Sequence, residues 1–166
     1  MSTSTVFINY RRSVDAYAAA LLDVELSRRL GEQNIFRASR SIPPGVDFEE
    51  AIDAAIGQSK AMLVLVGPRW AETFRAGSHE RDYVLEEIVE AMKRDILLIP
   101  VLLAGAPPIR TMRLPDELER LEQRQYLRFD YRAMSQDSDH IAQRLRMAIP
   151  ELVPTSRRSR WRATCG

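Results

Sequence analysis

Two uninterrupted apolar runs constrain the fold of this chain more than any other feature of its sequence. Residues 62–66 (MLVLV) and 96–101 (ILLIPV) contain no polar side chain. A strand with one face in water alternates polar and apolar residues, whereas a strand of a parallel sheet is covered on both faces and is apolar throughout. Both runs therefore predict central strands of a parallel sheet.

Short apolar runs and helical repeats alternate along the rest of the chain. Five runs predict strands, at residues 6–10, 34–36, 61–66, 96–103 and 125–129. The segments between them repeat apolar residues every three or four positions, as helices do. Strands that alternate with helices form parallel sheets through crossover connections. We therefore expect an α/β, flavodoxin-like three-layer sandwich, with a five-stranded parallel sheet in the order 2-1-3-4-5 and helices on both faces.

Capping residues and apolar stripes locate the helices. Asp15 is the predicted N-cap of the first helix, and Gly31 is its predicted end. Two apolar stripes run along this helix, formed by Tyr17, Leu21 and Val24 and by Leu22, Leu26 and Leu30. The later stripes lie at residues 48–56, 84–92, 114–121 and 141–149.

The composition is that of one ordinary globular domain. The chain has 166 residues, of which 45% are hydrophobic and 28% charged, enough to bury a core without a metal or a disulfide. We assign residues 1–153 to this domain and residues 154–166 to a basic tail or linker. Four arginines lie in the tail, and without them the net charge of +1 becomes −3. Nucleic-acid binding is therefore not expected of the domain, and only the tail leaves it open.

Cysteine, histidine and apolar content exclude further classes of protein. Cys165 is the single cysteine, so no intrachain disulfide can form, and His79 and His140 are too few for a Cys/His zinc site. No apolar run approaches the roughly 18 residues of a membrane helix, and we expect no signal peptide. The sequence predicts a cytoplasmic protein with no membrane segment, metal or prosthetic group.

Motifs of several enzyme classes are missing from the sequence. There is no GxGxxG after a strand, no GKS or GKT, and no GxSxG. These absences exclude the usual dinucleotide folds, P-loop proteins and α/β hydrolases. The third predicted strand runs into Gly67 without a carboxylate, so a phospho-acceptor receiver domain is not expected either.

Ligands bind such sheets at the loops that follow the carboxyl ends of the strands. Arg11 and Arg12 follow the first strand, where guanidinium groups suit a phosphate-bearing ligand, although two solvated arginines fit the pattern equally well. The loop from Arg37 to Asp47 contains two prolines and a glycine, which fit a rigid contact surface or a plain connector. We expect Trp70 to pack within its own loop.

Glu87 is the carboxylate best placed for chemistry. At about 100° per residue, the core face of the helix over residues 84–92 leaves Glu87 at its margin and turns Glu86 to water. Tyr83, one turn earlier, lies on the same side as Glu87. Geometry alone favours a surface glutamate that is paired with an arginine one or two turns away, Arg81 or Arg94.

As a set, five segments resemble the Toll/interleukin-1 receptor (TIR) domain family, particularly its bacterial members. The segments are VFINYRRS, SIPPGVDF, VLVGPRW, DYVLEEI and IPVL, at residues 6–13, 41–48, 64–70, 82–88 and 99–102. Their order and spacing agree with the family from about Val6 to Leu152. The basic stretch from Arg37 to Arg40 departs from the family, which usually has an acidic residue shortly after the second strand.

The resemblance implies an enzyme that acts on NAD. Many TIR domains cleave the bond between the nicotinamide and the ribose of NAD, which would be a substrate here and not a cofactor. By resemblance, Glu87 is the catalytic glutamate. The residues expected to line the nucleotide cleft are Tyr10, Arg11, Arg12, Phe36 and Tyr83.

The resemblance also implies partners and a biological role. Neighbouring copies of a TIR domain complete the cleft through the loop after the second strand, here the loop from Arg37 to Asp47, and a fused or separate sensor domain triggers assembly. The implied role is NAD depletion or a nucleotide signal in bacterial defence against phage. The alternative is a non-catalytic adaptor module that recruits other TIR domains.

Overall fold

Strands and helices alternate in the computed structural model, which describes residues 5–74 and 80–152. The strands are β1 (Val6–Asn9), β2 (Ile35–Phe36), β3 (Ala61–Val66), β4 (Leu97–Leu103) and β5 (Leu127–Phe129). The helices are α1 (Arg12–Leu30), α2 (Ala38–Ser41), α3 (Phe48–Gln58), α4 (Tyr83–Lys93) and α5 (Met134–Ala148). His79 and the predicted basic tail, which includes Cys165, lie outside the described residues.

The strands form one parallel sheet in the order β2-β1-β3-β4-β5. This confirms the predicted fold class and strand order. β3 occupies the centre and β4 lies beside it, so both uninterrupted apolar runs form interior strands, although Leu97 at the start of β4 is exposed. Every residue of β3 is buried, as expected for a strand with helices over both faces.

Each face of the sheet has its own apolar core, because successive side chains of a strand point to opposite faces. α1 and α5 cover the face that carries Val6 and Ile8. α3 and α4 cover the opposite face, which carries Phe7. Asn9, the fourth residue of β1, lies on the same face as Phe7 and therefore points toward α4, the helix that carries Glu87.

The first helix begins earlier than predicted, so the assignment of Asp15 as its N-cap is wrong. α1 starts at Arg12, and the Asp15 backbone (φ −123°, ψ 17°) leaves the helical region and kinks the helix. The Asp15 carboxyl is buried against Gly67 at the exit of β3, so closely that a side chain at Gly67 would overlap it. Burial raises the pKa of Asp15 to about 6, and Arg11 opposes this rise only in part.

Of the two apolar stripes on α1, one faces the core. Leu22, Leu26 and Leu30 are buried, whereas Tyr17 is 91% exposed and Leu21 and Val24 also face solvent. The stripe at 114–121 also differs from its prediction, because residues 116–123 form a 3₁₀ helix instead of an α-helix. Its buried leucines, Leu118 and Leu121, are three residues apart, which matches the three-residue turn of that helix.

Candidate active site

A cleft of about 320 Å³ opens at the carboxyl end of β1, beside the first turns of α3 and α4. Its position is the one at which parallel α/β sheets bind ligands. The cleft brings together five of the six residues expected at the site, namely Tyr10, Arg11, Arg12, Tyr83 and Glu87. Phe7, Phe48 and Ile52 add apolar wall.

Glu87 is half-buried at the margin of the core face of α4, as the helix geometry predicts. Val84, Ile88 and Ala91 carry that face into the core. The arginines considered as its surface partners bind other carboxylates. Arg81 pairs with Glu49 and Glu86, and Arg94 pairs with Asp53 and Glu90. The Glu87 carboxylate thus faces the cleft.

Burial raises the pKa of Glu87 from 4.5 to about 7. The hydrogen bond from Asn9 and the positive charge of Arg11 oppose this rise, whereas the negative charges of Asp82 and Glu86 add to it. A carboxyl group with this pKa exchanges its proton near neutral pH. Such a group in a cleft is a candidate for catalysis, because burial and neighbouring charges are how proteins tune reactive side chains.

Asn9 is a site residue that sequence reasoning did not single out. Its side-chain nitrogen donates to Glu87 Oε1 at 2.9 Å and to the Val84 carbonyl at 3.2 Å. Asn9 is 1% exposed and lies opposite Val64 in the sheet. The sequence does carry a signal for Asn9, because it is a polar residue at the end of an apolar strand, two positions after Phe7.

Arg11 ties the exit of β1 to the start of α4. Its guanidinium makes two hydrogen bonds to the Asp82 carboxylate, at 2.9 and 3.0 Å, and lies 4.8 Å from the centre of the Phe74 ring. Arg11 is therefore committed to protein partners, whereas Arg12 is exposed with its guanidinium 6.0 Å from the Phe48 ring. Of these two arginines, Arg12 is the one open to a phosphate.

Aromatic rings form one rim of the cleft. The Tyr83 ring is 44% exposed and meets the Phe48 ring edge-on, with 6.4 Å between ring centres. The Arg81 guanidinium lies over the same Tyr83 ring, 4.8 Å from its centre. Flat apolar surfaces beside a charged group suit the rings of a nucleotide.

Two further aromatic residues lie in the core. Phe36 is 5% exposed and stacks on Phe7, with 4.9 Å between ring centres, so it supports the cleft wall from behind and does not line the cleft as expected. Phe36 lies opposite Phe7 in the parallel register of β1 and β2, so its side chain points to the same face of the sheet and into the core there. Trp70 is fully buried against Phe74, which confirms its expected packing role.

The basic stretch after β2 is neutralised by α1. Asp23, 1% exposed, accepts hydrogen bonds from Arg37, Arg40 and Ser27 at 2.6–2.9 Å. Tyr10 extends this network to the cleft through its hydroxyl, 3.1 Å from Ser39 Oγ on α2. The departure from the family pattern therefore has a structural role, because it pins α2 to α1.

Two other depressions border α4. A groove of about 460 Å³ between α3 and α4 shares Phe48, Arg81, Tyr83 and Glu87 with the cleft. A depression of about 710 Å³ lies between α4 and the 3₁₀ helix, and it is lined mainly by charged side chains such as Lys93 and Glu117. No aromatic residue is among the described residues that line the larger one, whereas the cleft brings Tyr83 and Phe48 beside the half-buried Glu87, so the cleft is the better candidate.

Among residues 5–74 and 80–152, no helix combines the length and apolar content that a membrane span requires. Nor do three histidine, cysteine, aspartate or glutamate side chains cluster there as metal ligands would.

Two solved structures share the fold. One is a metazoan TIR-STING receptor from C. gigas in complex with 2',3'-cGAMP, at a TM-score of 0.58 and 20% identity, and the match covers 83% of this chain and 38% of the receptor's length. The other is the TIR domain of the Toll-related receptor TRR-2 from Hydra magnipapillata, at a TM-score of 0.51 and 20% identity, with 84% and 91% of the two chains covered. Likeness at this identity concerns the fold alone.

Sequence comparison identifies the family more directly. No curated protein matches the chain. The family profile described as the TIR domain matches residues 6–146, which include every strand, the cleft and Glu87. Because this match covers most of the sequence and the strand order agrees with it, the chain belongs to the TIR domain family.

Proposed function

We propose that this TIR domain cleaves the bond between the nicotinamide and the ribose of NAD, with Glu87 as the catalytic carboxylate. The observation that carries the proposal is the position of Glu87. It is half-buried, it faces a cleft of about 320 Å³, and it is held by an amide donor instead of being neutralised by an arginine. A surface glutamate of an adaptor module needs none of these features.

Cleavage of the bond between nicotinamide and ribose requires mainly a negative charge placed close to the ribose. Nicotinamide leaves as a neutral ring from a cationic one, so it needs no proton from an acid. The ribose develops positive charge as the bond lengthens, and a carboxylate beside it stabilises that charge, as in glycoside hydrolysis. Attack by water then yields ADP-ribose, and attack by the adenine yields a cyclic product.

The walls of the cleft suit the remaining parts of a dinucleotide. Tyr83 and Phe48 offer faces and edges for a flat ring. Arg12 is exposed at the cleft and can approach a pyrophosphate. Arg11 is paired with Asp82, and Arg81 is paired with two glutamates. The adjoining groove and the cleft each fall within the usual size of small-molecule sites, about 300–1,000 Å³.

Self-association is the second part of the proposal. The loop from Arg37 to Asp47 continues into exposed residues from Pro43 onward, and it carries Val46 at 48% exposure. Its base is fixed to Asp23 by two arginines. A rigid base with an apolar tip suits contact with a second copy, which would then cover the cleft from outside.

The test compares two neighbouring glutamates on the same helix. Wild type, Glu87→Gln and Glu86→Gln are incubated with NAD at high protein concentration, and the products are separated by chromatography. We expect Glu87→Gln to lose at least a hundredfold in rate. Glu86→Gln is the matched control, because Glu86 is exposed and bound to Arg81, and it should retain wild-type activity.

Two results would contradict the proposed activity. One is turnover by Glu87→Gln at the wild-type rate. The other is a wild-type protein that assembles into oligomers, with or without a sensor partner, yet leaves NAD intact. The second result would support the non-catalytic adaptor function instead.

A further inference from the structure

Asn9 is the one buried polar side chain of β1. Its neighbours along the strand, Val6 to Ile8, are apolar and fully or almost fully buried. Burying an amide costs free energy unless its hydrogen bonds are made. The side-chain nitrogen of Asn9 makes both of its hydrogen bonds with a different element, 75 and 78 residues further along the chain, to the Val84 carbonyl and the Glu87 carboxylate. The Asn9 Oδ1 atom is buried and has no hydrogen-bond partner among the described residues.

The orientation of the amide follows from its two partners. Val84 O and Glu87 Oε1 are both acceptors, at 3.2 and 2.9 Å. Only the NH₂ end of the amide can serve both, since the opposite orientation would set an oxygen against two oxygens. The Val84 carbonyl therefore fixes the amide, and the amide directs one N–H at the carboxylate.

We propose that Asn9 is the positioning residue of Glu87: it holds one carboxylate oxygen against β1 and favours the ionised form, so that the other oxygen faces the cleft. This inference deepens the proposed function and rests on the catalytic role of Glu87. It also explains how a carboxylate beside an apolar core is stabilised, because a hydrogen bond to a charged acceptor is stronger than one between neutral groups.

Other charges face Glu87 and must stay constant in a test. Arg11 and Arg12 line the cleft at the N-terminus of α1, and Arg81 lines it from just before α4. The acidic neighbours are Asp82 and Glu86 on α4 and Glu49 on α3, and the phenols are Tyr10 and Tyr83. Replacing Asn9 by a neutral residue leaves all of these charges unchanged.

The experiment uses two variants that lack the donor but differ in volume, Asn9→Leu and Asn9→Ala. The Glu87 side-chain carboxyl is titrated by carbon-13 NMR and assigned by its loss in Glu87→Gln. We expect the pKa of Glu87 to rise by about one pH unit or more in both variants. Val6→Ala is the matched control for a weakened β1, because Val6 is buried on the opposite face, and it should leave that pKa unchanged.

The kinetic part uses NAD over a range of pH. In both Asn9 variants, kcat at pH 7 should fall about tenfold, and part of that loss should be recovered near pH 9, where Glu87 ionises again. KM should change less than kcat, because Asn9 lies behind the carboxylate and not against the substrate. Val6→Ala should keep the wild-type pH profile even if it lowers Tm.

The outcomes separate this inference from the proposed function. A Glu87 pKa that stays at its wild-type value in both Asn9 variants would overturn the positioning role, whatever the activity. A raised pKa with an unchanged pH profile of kcat would also overturn it. If the pKa of Glu87 rises in both Asn9 variants but the wild-type protein consumes no NAD, the proposed function is wrong. The inference that Asn9 stabilises the ionised form of Glu87 is then still supported.

Discussion

Arg11 and Asp82 form a two-bond ion pair that joins the exit of β1 to the first turn of α4, with N–O distances of 2.9 and 3.0 Å. The same Asp82 caps α4 by accepting from the Leu85 backbone at 3.1 Å. Two walls of the cleft, 71 residues apart in sequence, are thereby fixed relative to each other. The ion pair also sets two opposite charges next to Glu87.

Asp82→Asn should lower the pKa of Glu87. The amide still caps α4, because asparagine is as good an N-cap as aspartate, but a negative charge is removed and Arg11 loses its counter-charge. Both changes favour the ionised carboxylate, and we expect a fall of roughly half to one pH unit. A carbon-13 titration of Glu87 measures it, and an unchanged or higher pKa would contradict this reading of the local charges.

Glu87→Gln should stabilise the fold in a pH-dependent way. The pKa of Glu87 is 4.5 in the unfolded chain and about 7 in the folded protein. Ionisation of Glu87 therefore lowers the free energy of unfolding. This loss is absent below pH 4.5 and grows as the pH rises to 7. The neutral amide avoids this cost, by up to about 3 kcal/mol at pH 8. Thermal melts at pH 5 and pH 8 test it. A Tm gain that is equal at both pH values would contradict the assigned cause.

Asp23→Asn should destabilise the domain and loosen α2. Burial alone would raise the pKa of Asp23, but hydrogen bonds from Arg40, Arg37 and Ser27 outweigh it and hold the pKa below 3.8. The stability from Asp23 is therefore present above pH 3.8 and is lost as pH falls through its folded pKa. At pH 7 we expect a loss of about 2–3 kcal/mol in urea unfolding.

Glu32→Gln is the control for Asp23→Asn. Glu32 also pairs with Arg40, at 3.1 Å, but its side chain is 72% exposed, so its removal should change stability little. Equal losses of stability in the two variants would mean that the burial of Asp23 does not determine the strength of its ion pairs with Arg37 and Arg40.

Gly67→Ala should destabilise the domain, because the new Cβ would overlap the buried Asp15 carboxyl at the exit of β3. We expect a cost of about 1–3 kcal/mol from overpacking, relieved when Asp15→Ala is added. Gly57→Ala serves as the comparison, since its Cβ meets only the flexible end of Arg94. Chemical unfolding of all variants measures this, and a double variant less stable than Gly67→Ala would contradict the steric cause.

Val46→Asp should weaken self-association, because it places a charge on the apolar tip of the loop after β2. Val24→Asp is a control of similar exposure, 52% against 48%, on α1 at the other face of the sheet. We expect a lower oligomer mass and a lower specific activity for Val46→Asp alone, by analytical ultracentrifugation and NAD assays at several concentrations. The reverse ranking would place the interface on α1.

Local sequence patterns accounted for the architecture. The apolar runs, the helical stripes and the stop at Gly31 located the strands and helices, because burial on both faces makes a strand apolar throughout. Their alternation then predicted the strand order of the flavodoxin-like class, which is correct. The same helical arithmetic placed Glu87 at the margin of the core. Predictions were wrong where a distant residue intervened: Asp15 packs against Gly67 instead of capping α1.

By itself, then, the sequence determined which segments form strands and helices and the face of α4 on which Glu87 lies, since each depends on periodicity within one segment. The alternation of strands and helices indicated the class of fold and, with it, the strand order usual for that class. Only the tertiary structure decided that Asn9 holds Glu87, that Arg11 binds Asp82, and that Asp23 neutralises the basic stretch. These contacts join segments far apart in sequence, and their partners are set by how helices pack on the sheet. No local pattern encodes such a pairing.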